Sequence, residues 1–385
     1  MKALLAPFLR PVVLLPVVLL PVVLLPMVLV PMVLLLGAAQ PARAADPLPD
    51  DSLRAIVADA LEHAIRPGFD NLARSAGVLE VTTGALCAAP SAASLDAART
   101  AFAETLQAWS AVEYIRLGPM TDANRADRLY FWPDRKSITL RHVQAALAKA
   151  DPGLVTREGM ADASIALQGL PALEFLFYGS GAESLATGPA GYRCAFAAAV
   201  AGNIAAIAGA AAADWHDPEG FAALLLAPGP DNPLFRDAEE AAVRITDIPG
   251  TGLHALRDQK LLPAIGSGPA DARPNLAPFR RSGLTNMALR ANLKGLQGLA
   301  DRAGIAAATR DRAPALQDGV DIVYRNTFAA LESLAGPLGE AAADPARRGP
   351  VNYLALLTDR LRNLLQDQMP GALGMKVMFN AYDGD

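Results

Sequence analysis

Histidine, cysteine and aromatic residues are scarce in this chain, and each shortage narrows what it does. The four histidines are His63, His142, His216 and His254; no HExxH string and no Cys/His zinc spacing occurs. No nucleophile elbow, no Ser/His/Asp order and no phosphate-cradling glycine loop is visible either. Basic runs interleaved with aromatics are missing and the formal net charge is -5, so polyphosphate is repelled and nucleic acid is a poor partner. Aromatics make up 6% of the residues, which leaves alanine and leucine to fill the core and favours helices packed closely through small side chains. No convincing period-two alternation appears, and the fold class is all-α.

Charge is also lacking at the amino terminus. Met1-Lys2 precedes an apolar stretch from Ala3 to Gly37, interrupted by Arg10 and by Pro11, Pro16, Pro21, Pro26 and Pro31. This reads as an export signal over residues 1–44, cut after Ala42-Arg43-Ala44. The PVVLL-like repeat makes the stretch long, so an uncleaved anchor is the alternative, although a proline every five residues handicaps a helical span. No cysteine follows the signal to carry a lipid. Cleavage leaves 31 basic residues against 39 acidic ones, a periplasmic protein with no stable membrane span. The remaining length exceeds one comfortable core and divides into an N-terminal helical bundle, 45–215, and a C-terminal one, 216–385, around the Pro/Gly-rich segment Ala227 to Pro233. Export favours pairing of the two cysteines, Cys87 and Cys194, against the plainer reading of two buried thiols.

Helical spacing places a first helix from about Asp50, bent at Pro67, and a second from Ser94 to Leu117. Further helices are expected over 136–149, 160–178, 190–214, 236–248, 252–265, 282–303, 315–335 and 352–368. Glu174 stands alone in the apolar string Gly169 to Gly179, where a buried carboxylate needs partners. Arg116, Arg125 and Arg128 are nearby guanidinium candidates, Arg116 first, and a buried pair fixing helix register competes with a ligand role. Of the histidines, His63 and His142 read as solvated helix faces and His216 as a helix end, leaving His254 as the remaining metal ligand candidate beside Glu174. Trp109, Tyr114 and Trp132 read as core rings or pocket lining; Asp383 and Asp385 read as a frayed tail or a cation contact.

The string Gly169-Leu170-Pro171-Ala172-Leu173-Glu174 resembles the GxHxxE signature of the imelysin-like family, also called the insulin-cleaving membrane peptidase family, which includes iron-regulated envelope proteins. Ile115-Arg116-Leu117-Gly118-Pro119, Phe131-Trp132-Pro133-Asp134, Arg281-Ser282-Gly283 and Asp383-Gly384-Asp385 extend the resemblance in order along the chain. It implies two similar four-helix-bundle halves with a ligand site between them; carry-over from the signature is limited to Gly169 and Glu174, and Pro171, Arg116, Trp132, Asp134, Arg281 and Ser282 complete the candidate ligand site. It also implies a link to iron or another divalent metal, with envelope proteins of metal uptake as partners. Proline at 171 removes the motif imidazole, which disfavours a metallopeptidase. A cation held by Glu174 with Glu113 or Asp134, an anionic small molecule held by Arg116, Arg125 and Arg281, and a structural envelope module without ligand all remain open. Gly252-Leu253-His254-Ala255-Leu256-Arg257 partly repeats the first string; a true repeat would set Arg257 against Glu174 across the halves.

Overall fold

The computed structural model describes residues 45–189 and 191–375; the leader with its Ala42-Arg43-Ala44 site, and Asp383 and Asp385, lie outside the described residues. Helix is the only regular structure among the described residues, as the Ala/Leu-rich composition dictates. Asp50–Ala60 runs through a π-turn, Leu61–Ile65, into Arg66–Ala88, and Ala92–Ser110 folds back on it. Ser91 sets that second start: its hydroxyl accepts from the Ser94 N–H while Ser94 Oγ accepts from the Ser91 N–H, a reciprocal cap. The helix therefore begins before Ser94, and it ends at Ser110 rather than at Leu117.

Tyr192–His216 packs along Arg66–Ala88 and is buried from Cys194 to Trp215 along its inner side. Its composition would suffice for a membrane span, but burial in the core accounts for the same apolarity. The Cys87–Cys194 disulfide joins these two helices with a Cα separation of 5.6 Å. The expected helix over 160–178 is broken into Arg157–Ala161, a 3-10 turn Ile165–Leu167 and Leu170–Tyr178. Proline lacks an N–H and crowds the carbonyl four residues back, so Pro171 sits in the first turn of a new helix instead of bending an old one.

The later helices include Ala238–Thr246, Ile248–Ala255, Thr285–Arg302, Pro314–Glu332 and Arg348–Arg362. Ala238–Thr246 packs on Asp50–Ala60, and Thr285–Arg302 packs on Ala92–Ser110, so residues from both halves of the chain share one hydrophobic cluster from Leu48 to Met375. Gly295 permits this approach, because a Cβ there would lie 2.2 Å from the Ala111 carbonyl oxygen.

Three π-turns recur in one sequence context. Leu61–Ile65, Leu256–Leu261 and Asn363–Gln368 each end two residues before a proline, Pro67, Pro263 and Pro370. A proline inside a helix pushes on the preceding turn and leaves a carbonyl without its N–H, and local widening relieves the clash. At Pro263 the carbonyl so released is that of Gln259, and it faces the Trp132 indole.

Candidate functional site

Trp132 closes the gap that Pro263 opens. Its indole N–H donates to the Gln259 carbonyl at 3.0 Å, tying the 130–134 loop to the Leu256–Leu261 turn of the other half. Trp132 stacks on Tyr130 with ring centroids 5.7 Å apart and planes 4° off parallel, and Tyr130 stacks in turn on Phe279 at 5.2 Å. Tyr130 and Trp132 form a wall shared by two cavities, of about 210 and 360 Å³.

The smaller cavity contains the motif. Gly169 caps Leu170–Tyr178 where a Cβ would meet the Leu129 and Arg128 carbonyl oxygens at 2.3 and 2.5 Å, so the helix start presses against the preceding segment and glycine is required. Pro171 and Glu174, one turn apart, both line the cavity, with Asp134, Phe279, Arg280 and Arg281. Glu174 is only 4% exposed. Its Oε1 accepts from the Ser282 backbone N–H and lies within hydrogen-bond reach of the Ser282 hydroxyl, both at 2.9 Å. That hydroxyl is also 3.0 Å from the Phe279 carbonyl and donates to one acceptor at a time. Burial pushes the Glu174 carboxyl above the usual carboxylate range, while the Ser282 donors and the Arg281 charge pull it back. Arg281 is held over the Phe175 ring, 5.5 Å from its centroid, and burial lowers its pKa with Arg280 adding to the effect.

The arginine beside Glu174 is therefore Arg281, not Arg116. Arg116 pairs with Asp127 at 3.1 Å, Arg125 with Asp214 at 2.5 Å, and Arg128 donates to Gln168 at 2.7 Å. Arg257 pairs with Asp258 and Asp359 rather than facing Glu174, so the partial sequence repeat builds no ion pair across the halves. Asp134 is committed to structure: its two oxygens accept from the Ile138 and Thr139 N–H groups at 2.7 and 2.8 Å, capping Ile138–Lys149.

The donor set does not fit the metal that the family resemblance implies. Pro171 offers no side-chain donor atom, both Asp134 oxygens already accept a backbone N–H, and His254 lies 3.4 Å from Asp258, away from Glu174. Among the described residues no group of three or more His, Cys, Asp or Glu side chains is placed to hold an ion. The two guanidinium groups of Arg280 and Arg281 suit an anionic oxygen ligand better.

Sequence reasoning missed the larger cavity. Lys260, 3% exposed, forms an ion pair with Glu113, donates to Asn292 Oδ1 at 2.8 Å and stands 5.2 Å from the Tyr130 ring centre. Asn292 passes the link on, donating to the Ser110 carbonyl at 2.6 Å. Burial lowers the Lys260 pKa, with Glu113 opposing. Glu113 thus answers to Lys260 and not to a cation shared with Glu174. The sequence carried little signal, since Lys260 closes the polar run Arg257-Asp258-Gln259-Lys260.

The family model described as imelysin matches residues 65–368. The fold is similar to the crystal structure of an imelysin-like protein from Psychrobacter arcticum 273-4, with a TM-score of 0.73 at 19% identity over 87% of this chain and 99% of that one. It is also similar to a protein named as an iron-regulated protein A precursor from Parabacteroides distasonis ATCC 8503, with a TM-score of 0.64 at 14% identity over 87% and 97% of the two chains. No match is found among curated proteins.

Proposed function

The chain belongs to the imelysin family, and from that premise we propose that it is an exported accessory protein of the bacterial cell envelope that binds a small ligand between its two halves in the service of iron or other metal acquisition. The observation that carries the reading is the cavity where Glu174 and Pro171 of one half meet Arg280 and Arg281 of the other. Two guanidinium groups stand against two carboxyls, of which Asp134 is engaged by the Ile138 and Thr139 N–H groups and Glu174 has its pKa raised by burial, so the arginines favour a ligand anionic at oxygen, and any metal it brings arrives with donors of its own. The export signal over residues 1–44 supports a periplasmic location. The name of the Parabacteroides distasonis protein supports the link to iron. Partners on this reading are envelope proteins of metal uptake.

The test is native mass spectrometry with elemental analysis of protein isolated from its own envelope. A bound mass on a chain beginning near Ala45, lost in Arg281→Ala, is the expected result. A bare mature chain with no ligand and no metal would overturn the reading. The hydrogen bonds from Ser282 to Glu174 favour one competing view, in which this junction is purely a structural clamp. In that case Arg281→Ala and Glu174→Gln change stability and nothing else.

A further inference from the structure

The 360 Å³ cavity on the far side of the Tyr130 and Trp132 wall is in the size range of ligand pockets and draws residues from both halves of the chain. Its chemistry differs from that of the Glu174 cavity. Most of its wall is apolar or aromatic: Trp132, Val243, Ile248, Leu256 and Leu296. Five charged side chains line it, Glu113, Arg116, Arg244, Asp247 and Lys260, and the buried Lys260 and Glu113 neutralise each other. Arg116 is committed to Asp127 at 3.1 Å, so Arg244, exposed at the rim, is the cation open to a ligand there. The wall also keeps unpaired polar atoms. Glu113 Oε2 and the Tyr130 hydroxyl are buried without a hydrogen-bond partner among the described residues. A lysine taken out of water beside unpaired oxygens is costly, and packing alone does not call for such a group; arrangements of this kind are retained where a site uses them.

We propose that this cavity is a second binding site, for a small organic monoanion with a flat apolar body, its anionic end toward Arg244 and its body against the Trp132, Leu256 and Leu296 wall. The inference does not depend on the reading of the Glu174 cavity. The probe is benzoate, with neutral benzamide and cationic benzylamine as matched controls, followed by ligand-observed saturation-transfer NMR on the mature chain. Benzoate should bind, benzamide about tenfold or more weakly for want of the charged contact, and benzylamine least. Arg244→Glu, at an exposed position where folding is not at risk, should weaken benzoate about tenfold or more. Ala255→Trp, at a half-buried lining position, should abolish it by filling the space, with a circular-dichroism melt to confirm folding. Glu174→Gln should leave benzoate binding unchanged, which separates this site from the other. Absence of benzoate binding to the native chain, equal binding of the three probes, or benzoate binding unchanged in Arg244→Glu would each overturn the proposal.

Discussion

Replacing Glu174 by glutamine tests what the buried carboxyl does, because the two side chains share a shape and differ in charge. In the native chain Oε1 accepts from the Ser282 N–H at 2.9 Å, and a glutamine oxygen can accept the same bond. The loss is the charge-assisted part of the contact, about 1 kcal/mol. The gain is that no ionised group need be buried, and burial is the largest influence on Glu174. The expected net change at neutral pH is within about 1 kcal/mol, a shift in Tm of no more than about 2–4 °C. Glu174→Ala, in contrast, leaves the Ser282 N–H unpaired as well as a void, and should cost about 2–4 kcal/mol. The pH dependence supplies the sharper sign. A carboxyl whose folded pKa is raised holds its proton more tightly in the native state, so native stability declines as pH rises from the ordinary glutamate value through the raised one. Glutamine has no such proton. The stability difference should therefore favour the native chain in acid and move toward the variant as pH rises through that window, measured by urea unfolding of both proteins at several pH values. A Glu174→Gln cost above about 3 kcal/mol at neutral pH, or a difference independent of pH, would refute the argument.

Three further outcomes follow from separate contacts. Removing the Cys87–Cys194 bridge by double serine substitution should cost about 4–5 kcal/mol in the chain-entropy account of a loop this long, and thiol titration of unfolded, unreduced native protein should find no free thiol. Trp132→Phe keeps the ring on Tyr130 but strips the donor from the Gln259 carbonyl, so it should lower stability by about 1–3 kcal/mol in thermal or urea unfolding, whereas an unchanged Tm would mean that the carbonyl finds another donor. Gly169→Ala drives a methyl into the Leu129 and Arg128 carbonyl oxygens and should cost about 1–3 kcal/mol or more, read in the same unfolding assay.

Much of the scaffold was legible because it is local. Periodicity in the Ala/Leu-rich segments located the long helices, and the presence of two cysteines in a sequence read as exported anticipated the bond between Arg66–Ala88 and Tyr192–His216. The errors fall where a single residue changes the local rule. The expected helix over 160–178 breaks because Gly169 and Pro171 restart it, and the bend expected at Pro67 is absorbed by a π-turn in the preceding residues.

The residues of the candidate site, Arg281 and Ser282 among them, were named from the sequence, but not which of them meets Glu174, since partnership is a long-range property. Glu174 and Ser282 are 108 residues apart, and nothing in either segment ranks Ser282 or Arg281 above Arg116. The same holds for Lys260 and Glu113, 147 residues apart. What sequence does carry is the cost at one of them: a lone carboxylate in the apolar helix Leu170–Tyr178 demands a partner from elsewhere, whereas Lys260, at the end of the polar run Arg257 to Lys260, gives no such sign. Both pairings lie beside one aromatic wall, on its two sides. Proline at 171 then alters the chemistry without moving the helix, because the first turn of a helix tolerates a missing N–H. A position that offers imidazole in the family signature here offers only a ring edge to the cavity, so the helix is kept while that one donor is not.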